Sequence, residues 1–289
     1  MKGGRQLSHS AAKVQKQKSI LPGFGLTMGI TVTLLCLIVL IPLASLIIYT
    51  CKLSWGEFWG VISDARVLSS YKVSLLTSLY AALINTVMGL VLAWTLTRYD
   101  FPGKKFLDGI IELPFALPTA VAGITLTHLT VKEGWVGRIF WKAGIEVAYT
   151  QFGITLALVF VGIPFVVRSV QPVLEKLDRQ YEEAADILGA SRSRTFFQVI
   201  LPELFPSLFG GFTMAFARGL GEYGSVVFIA GNTPFKTEIA PLLIMSKLQS
   251  FDYPSATAIA LVMLIFAFII LLINAAVQNH ASRIVRGRS

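Results

Sequence analysis

Two charged residues, Arg218 and Glu222, interrupt an otherwise apolar segment that runs from residue 204 to residue 230. Their i, i+4 spacing places both side chains on one face of a helix, where they can pair. Charged residues at membrane depth are rare, and they usually face the protein interior or a solute pathway. Because the glutamate would repel an oxyanion that the arginine attracts, we favour a structural ion pair. An oxyanion contact of Arg218 is the alternative.

Two prolines, Pro114 and Pro118, lie four residues apart in a second apolar segment, and Thr119 follows them. A proline inside a helix removes a backbone N–H and disturbs the preceding turn. The pattern favours a kink that fits the helix into a bundle. The alternative is that the freed backbone groups and the hydroxyl of Thr119 face the route of a solute. The candidates for such a translocation route are Pro114, Pro118, Thr119, Arg218 and Glu222.

Other arrangements that could carry chemistry are incomplete in this sequence. Residues 219–224 satisfy G-x-G-x-x-G, but they lie in an apolar segment without the preceding strand that a dinucleotide site needs. Residues 231–237 lack the second glycine of a P-loop. The histidines are scattered, and Cys36 and Cys51 form no C-x-x-C motif. We therefore predict a chain that is not an enzyme and that itself holds no cofactor or metal.

The composition assigns these residues to a membrane protein. Of the 289 residues, 54% are hydrophobic and 14% are charged, whereas soluble domains carry about 25% charged residues. These values exclude a soluble enzyme, a disordered chain and a disulfide-rich secreted protein. Six segments contain the roughly 20 apolar residues that a membrane-spanning helix needs, which predicts an all-α, polytopic membrane protein with six transmembrane helices. The segments are residues 24–50, 72–98, 112–132, 146–168, 204–230 and 252–283.

The distribution of basic residues predicts the orientation of the chain. With six spans both termini lie on one side, and that side carries 16 of the 25 Lys and Arg residues against 8 on the other. Because cytoplasmic loops are enriched in Lys and Arg, we expect both termini in the cytoplasm. The net charge of +9 is then mainly a topology signal, and nucleic acid is not expected as a partner. The terminal segments are a basic N-terminal segment (1–22), a first transmembrane helix (23–50) and a basic tail (281–289).

The longest polar run, residues 168–203, is predicted to lie on the cytoplasmic side. Its centre is rich in Glu and Ala, which favour helix, and Gly189 is placed to end that helix. The loop is therefore predicted to contain a helix, a glycine turn and a second helix that enters the membrane. A bare connection needs only a few residues, so a docking element for another protein is favoured over a simple linker.

The centre of this loop resembles the EAA motif of permease subunits of ABC importers. The matching residues are Glu183, Ala184, Ala185, Gly189, Val199, Leu201 and Pro202. Val199 occupies a position where the family pattern has isoleucine. In that family the loop forms a coupling helix, which sits in a cleft of the cytoplasmic ATPase. The resemblance implies that the ATPase docks on Glu183, Ala184, Ala185 and Gly189.

Further stretches of the chain resemble the sulfate/thiosulfate permease subunits of that family. They lie at residues 96–103, 113–123, 163–173, 219–224, 228–232 and 251–254. The resemblance implies a type I ABC importer permease fold. It also implies that the transmembrane domain of the family covers residues 71–274 and contains the coupling loop at 168–203.

The function implied by this resemblance is import of sulfate and/or thiosulfate into the cytoplasm by alternating access. The implied partners are two copies of an ATP-binding subunit, a sister permease subunit and a periplasmic sulfate/thiosulfate-binding protein, in the lipid bilayer of a bacterial inner membrane. ATP would bind to the partner ATPase subunit. A permease for molybdate or another oxyanion would share the motif. An ion-coupled secondary transporter also stays open on composition, because Glu112 and Glu222 lie near membrane depth.

Overall fold

A computed structural model describes residues 24–178 and 180–286 of the chain, with side chains as far as Gln278. The basic segment predicted at residues 1–22 lies outside the described residues, and so does the end of the predicted tail, at 287–289. The chain divides into two compact units after Ser45, within the first helix.

Helices form all of the regular structure in the described ranges, which contain no strand. The helices are α1 (Phe24–Thr50), α2 (Trp55–Ile62), α3 (Ala65–Arg98), α4 (Lys104–Ala116), α5 (Thr119–Thr130), α6 (Trp135–Lys142), α7 (Gln151–Lys176), α8 (Gln180–Ile187), α9 (Arg192–Thr195), α10 (Leu201–Leu220), α11 (Val226–Ile229), α12 (Ala240–Gln249) and α13 (Tyr253–Arg286). A π-helical turn, Phe196–Ile200, joins α9 to α10. The predicted all-α fold class is confirmed.

Five apolar helical segments are long enough to cross a membrane. They are Phe24–Thr50, Ala65–Arg98, Gln151–Lys176, Arg192–Leu220 and Tyr253–Gln278. A helix rises 1.5 Å per residue, so even the shortest of them extends about 39 Å, which exceeds the roughly 30 Å of a hydrocarbon core. Each of the five corresponds to one of the predicted spans.

The remaining predicted span, at residues 112–132, is not the single kinked helix that the sequence predicted. The chain forms two helices here, α4 and α5, which are bent by 112° relative to each other. The break falls at Leu117 and Pro118, and Leu117 has extended backbone, as a residue before proline usually does. Pro114 lies inside α4 without ending it. Pro118 therefore divides the span into two helices, whereas the sequence predicted a kink within one helix.

Contacts at the ends of α3 and α7 show that these two helices run in the same direction. Arg98, the last residue of α3, donates a hydrogen bond to the carbonyl of Leu177, directly after α7, at 3.4 Å. At the opposite end, Gln151 of α7 donates to the carbonyl of Lys236 at 2.7 Å, and Arg66 of α3 pairs with Glu238 at 2.7 Å. We call the end that holds Arg98 and Leu177 the loop end of the bundle, and the end that holds Arg66 and Gln151 the far end.

This arrangement fixes the role of the bent helix pair. The chain leaves α3 at the loop end and enters α7 at the far end, so the residues between them must cross the bundle. Only α4 and α5 together supply the required length, because α6 has 8 residues. With this pair counted as one broken span, the described chain has the six spans that the sequence predicted.

Helices α3, α7 and α10 form the main core of the larger unit. Small residues let their backbones approach closely: a Cβ at Gly89 would meet the Val166 side chain at 2.7 Å, and a Cβ at Gly211 would meet the Val166 Cα at 2.8 Å. Such packing through small residues is typical of membrane helices. The buried apolar residues of this core are Ala82, Ala93, Leu96, Ile111, Val166, Val167, Val170, Leu174, Ile200, Leu204 and Ala215.

Short helices cover the far end. A capping box begins α2: Ser54 Oγ accepts from the Glu57 backbone N–H, and a Glu57 carboxylate oxygen accepts from the Ser54 N–H at 2.7 Å. Hydrogen bonds from Ser54 lower the pKa of Glu57. Helix α13 packs against α3 through the hydroxyl of Tyr71, which donates to the carbonyl of Ile259 at 3.3 Å.

Candidate docking and translocation sites

Helix α8 holds the first group of candidate residues, at the loop end. Acidic residues occupy its first turn, where the helix dipole favours them. Gly189 follows the helix with a φ of +74°, and its N–H donates to the carbonyl of Asp186 at 2.9 Å. A left-handed glycine of this kind is a common helix end. The predicted helix and glycine turn are confirmed.

The second half of the loop returns the chain to the membrane. Ser191 begins α9, and its Oγ accepts a hydrogen bond from the Arg194 N–H at 3.4 Å. The π-helical turn then leads without a break into α10. π-Helical turns within α-helices are frequent at functional sites. The loop thus consists of α8, a turn, and a continuous helical path into the bundle, as the sequence predicted.

The four predicted docking residues fall on different faces of the loop. Glu183, Ala184 and Gly189 are exposed, whereas Ala185 is buried against the protein. Beside them, Ile187 and Leu188 are 85% and 86% exposed. Large apolar side chains that lie this open on a polar loop are typical of a contact surface. Ile187 and Leu188 were not among the predicted docking residues, although they stand directly before the glycine turn in the sequence.

The ion pair predicted between Arg218 and Glu222 forms at the end of α10. Arg218 Nη1 lies 2.6 Å from Glu222 Oε2, and the glutamate is buried while the arginine is 35% exposed. The other carboxylate oxygen accepts from the N–H and the hydroxyl of Ser225 at 2.8 and 2.9 Å. Glu222 therefore organises the turn between α10 and α11, and Arg218 keeps part of its guanidinium accessible.

Two helix breaks meet beside this ion pair. A Cβ at Gly224 would collide with the hydroxyl of Thr119, and one at Gly123 would meet the Cα of Ser225 at 2.7 Å. The start of α5 thus packs directly on the turn that Glu222 holds. Irregular backbone at membrane depth occurs where protein buries it or where it lines a cavity. Pro118 is exposed at this break, whereas Pro114 is buried one turn earlier.

Two further sets of charges were not found from the sequence. Arg168 of α7 pairs with Asp108 at 2.9 Å and with Glu112 at 2.7 Å, which ties α4 to α7. Arg98 pairs with Glu182 of α8 at 2.8 Å. In the sequence these residues are only span limits or loop charges, because no local spacing reveals partners that are distant in the chain.

The comparisons with known proteins agree with this arrangement. The model of the family "Binding-protein-dependent transport system inner membrane component" matches residues 85–286. The chain belongs to this family of ABC transporter permeases. As a member it is a transport subunit rather than an enzyme, and it works in the inner membrane as part of a system that depends on a binding protein.

This permease is similar over nearly its whole length to curated relatives. It is 48% identical over 270 residues to the "Sulfate transport system permease protein CysT" of Escherichia coli (strain K12), covering 93% of this chain and 98% of the relative. It is 44% identical to the CysT protein of Synechocystis sp., covering 88% and 89%. The resemblance to CysT permeases is therefore close.

Solved structures share the fold of the permease. A chain of a bacterial alginate ABC transporter, crystallised with an alginate-bound periplasmic protein, superposes with a TM-score of 0.71 at 18% identity, covering 91% of this chain and 95% of that one. A chain of the MetNI methionine ABC transporter gives a TM-score of 0.56 at 15% identity, covering 79% and 99%. At this identity the likeness establishes the type I permease fold.

Proposed function

We propose that this permease imports sulfate and/or thiosulfate into the cytoplasm as part of an ABC transporter. The observation that carries the proposal is the 48% identity to a sulfate permease over 93% of this chain. Molybdate and other oxyanions are the competing substrates, and their competition with labelled sulfate for uptake separates them.

The energy for transport would come from a separate ATP-binding subunit, present in two copies. We infer that the loop end of the bundle faces the cytoplasm, because the loops at this end are the ones rich in Lys and Arg. The exposed residues Glu183, Ala184 and Gly189, together with Ile187 and Leu188, would then form the surface on which the ATPase docks. Small residues allow close approach, and the two apolar side chains supply buried area.

The solute would pass near the meeting point of the two helix breaks. There the uncapped start of α5 offers backbone N–H groups, Thr119 a hydroxyl and Arg218 a partly exposed cation. Such groups suit a tetrahedral dianion. Glu222 would act indirectly, because its two oxygens hold Arg218 and Ser225.

A second permease chain would complete the route. A periplasmic sulfate/thiosulfate-binding protein would deliver the anion to the far end. Closure of the ATPase dimer would push the two coupling helices together and open the bundle outward. Reopening of the dimer would release the anion inward, which completes alternating access.

The docking function is tested by Glu183→Lys and Gly189→Trp. The lysine reverses a charge on the docking surface, and the tryptophan places a large side chain where φ is +74°. Both variants should abolish labelled-sulfate uptake while the permease stays in the membrane at its normal level. Asp186→Asn, in the same helix, serves as the control. Normal ATP-dependent uptake by both variants would refute docking through α8.

A further inference from the structure

The end of α3 is tied to the docking helix by a single arginine, Arg98. The Arg98 side chain is 11% exposed, and its Nη2 lies 2.8 Å from Glu182 Oε1. The same nitrogen donates to the carbonyl of Leu177 at 3.4 Å. The guanidinium carbon also lies 5.6 Å from the centre of the Trp94 ring. Arg98 therefore contacts α8, the end of α7 and its own helix at once.

The contacts continue into the path that leads to α10. The ring of Trp94 meets the ring of Phe196 edge to face at 5.6 Å, and Phe196 is the first residue of the π-helical turn. Arg98 and Trp94 at the end of α3 thus contact the chain on both sides of the docking surface. Leu177 and Glu182 come before this surface in the sequence, and Phe196 comes after it. Because α3 packs along α7 and α10 in the core, a displacement of Arg98 and Trp94 would be transmitted to the whole bundle.

Helix α8 has few other attachments. Among the residues that the structure describes, the pair of Arg98 with Glu182 is the only ion pair that joins α8 to a membrane-spanning helix. Ala185 is the one buried residue of the helix. Within the part of the chain that the structure describes, Ala185 and this ion pair therefore hold the docking surface against the bundle.

We propose that Arg98 is a positioning residue that couples movement of the docked ATPase to the membrane bundle, through Glu182. This coupling role rests on the proposed docking of the ATPase on α8. Exposed ion pairs contribute little, but Arg98 is largely buried and lies at a helix C-terminus, where a cation is favoured. Without Glu182, the largely buried guanidinium of Arg98 keeps, among the described residues, only the carbonyl of Leu177 as a polar partner. Arg98 would then no longer hold α8 in place.

The test uses the complete transporter in proteoliposomes, with its ATPase and binding protein. Single variants Arg98→Gln and Glu182→Gln should keep the ATPase bound during purification. Their labelled-sulfate uptake per ATP hydrolysed should fall about tenfold, within the range of coupling free energies between sites. Arg98→Lys should lie between these variants and the wild type, because lysine keeps the charge but not the planar, multivalent geometry.

A charge exchange separates positioning from direct docking. The double variant Arg98→Glu, Glu182→Arg should give more sulfate per ATP than either single reversal, since a positioned pair survives exchange. The control is Lys104→Gln, which removes an ion pair at the same end of the bundle whose partner, Asp100, has a 99% exposed side chain. Its uptake per ATP should stay within about twofold of the wild type.

Three results would overturn the proposal. Unchanged uptake per ATP in Glu182→Gln, a partly exposed and nearly isosteric change that leaves folding intact, would show that the pair does not couple. Loss of the ATPase from Glu182→Gln would make Glu182 a docking contact itself. No recovery in the exchanged double variant would exclude the pairing. Failure of the docking function is a different outcome, because it requires normal uptake by both Glu183→Lys and Gly189→Trp.

Discussion

At the scale of single residues, the carboxylate of Glu222 has more partners than an ion pair requires. It binds Arg218 with one oxygen and both donors of Ser225 with the other. A buried carboxylate with three hydrogen-bond donors is well compensated, whereas removal of any donor leaves part of its charge unmatched. The structural interpretation that the sequence favoured thus gains a second reason, and Arg218 is left with an accessible face.

The two roles of this pair can be separated by substitution. Arg218→Ala should destabilise the purified permease by about 2 kcal/mol, since the buried carboxylate of Glu222 loses its cationic partner. The double variant Arg218→Ala, Glu222→Gln should be more stable than Arg218→Ala, because glutamine still accepts from Ser225 without carrying a charge. Thermal unfolding in detergent measures both.

Transport by the double variant then reports on the solute. If stability recovers and sulfate uptake stays lost, Arg218 contacts the anion. If uptake recovers as well, the pair is structural only. A double variant no more stable than Arg218→Ala would show that the unpaired carboxylate of Glu222 is not what destabilises Arg218→Ala.

At the scale of elements, the two broken helices depend on each other. The start of α5 fits against the turn after α10 because Gly123 and Gly224 carry no side chains where Ser225 and Thr119 approach. Pro118 supplies the break, and this packing sets its direction. An unpaired break would leave backbone groups without partners at membrane depth. The bent span and the turn at Glu222 are therefore one structural feature.

A methyl group at Gly123 should separate these elements. In Gly123→Ala the new Cβ would lie 2.7 Å from the Cα of Ser225, a backbone atom that cannot yield alone. We expect a loss of about 1–3 kcal/mol, as for other overpacked sites, and reduced uptake. Gly109→Ala is the matched control, since nothing lies within 4 Å of that position in α4. A Gly123→Ala permease as stable as the wild type would contradict the close packing.

Local signals predicted the elements better than their contacts. The Glu- and Ala-rich run and Gly189 were sufficient to predict α8 and its end, and the gaps between charges located the spans. The prolines predicted a disturbance but not a bend of 112°, because the direction depends on Ser225, far along the chain. The pairing of Arg98 with Glu182 was equally hidden, since each is an ordinary charge in its own segment.

At the scale of the whole molecule, the parallel α3 and α7 give the bundle two chemically different ends. The loop end carries the docking helix, and the far end carries α2, α6 and the segment around Glu238. A transporter that takes energy from one side and solute from the other needs this asymmetry. From the distribution of Lys and Arg we predict that the loop end faces the cytoplasm.

Cysteine labelling tests this orientation with a matched pair of positions. Cys36 and Cys51 are first replaced by serine. Lys105→Cys at the loop end and Lys142→Cys at the far end both lie at exposed positions. A membrane-impermeant maleimide should label residue 142 from the periplasm and residue 105 only after the inner membrane is permeabilised. The opposite pattern would invert the topology and remove α8 from the ATPase.

The most direct test of the central claim is uptake of labelled sulfate by proteoliposomes that contain the permease with its ATPase, sister permease and binding protein. We predict uptake that requires ATP, survives collapse of proton and sodium gradients, and is competed by unlabelled sulfate or thiosulfate more strongly than by molybdate. Stronger competition by molybdate would contradict the assigned anion. Uptake that continues without ATP and stops when an ion gradient is collapsed would contradict the assignment as an ATP-driven permease.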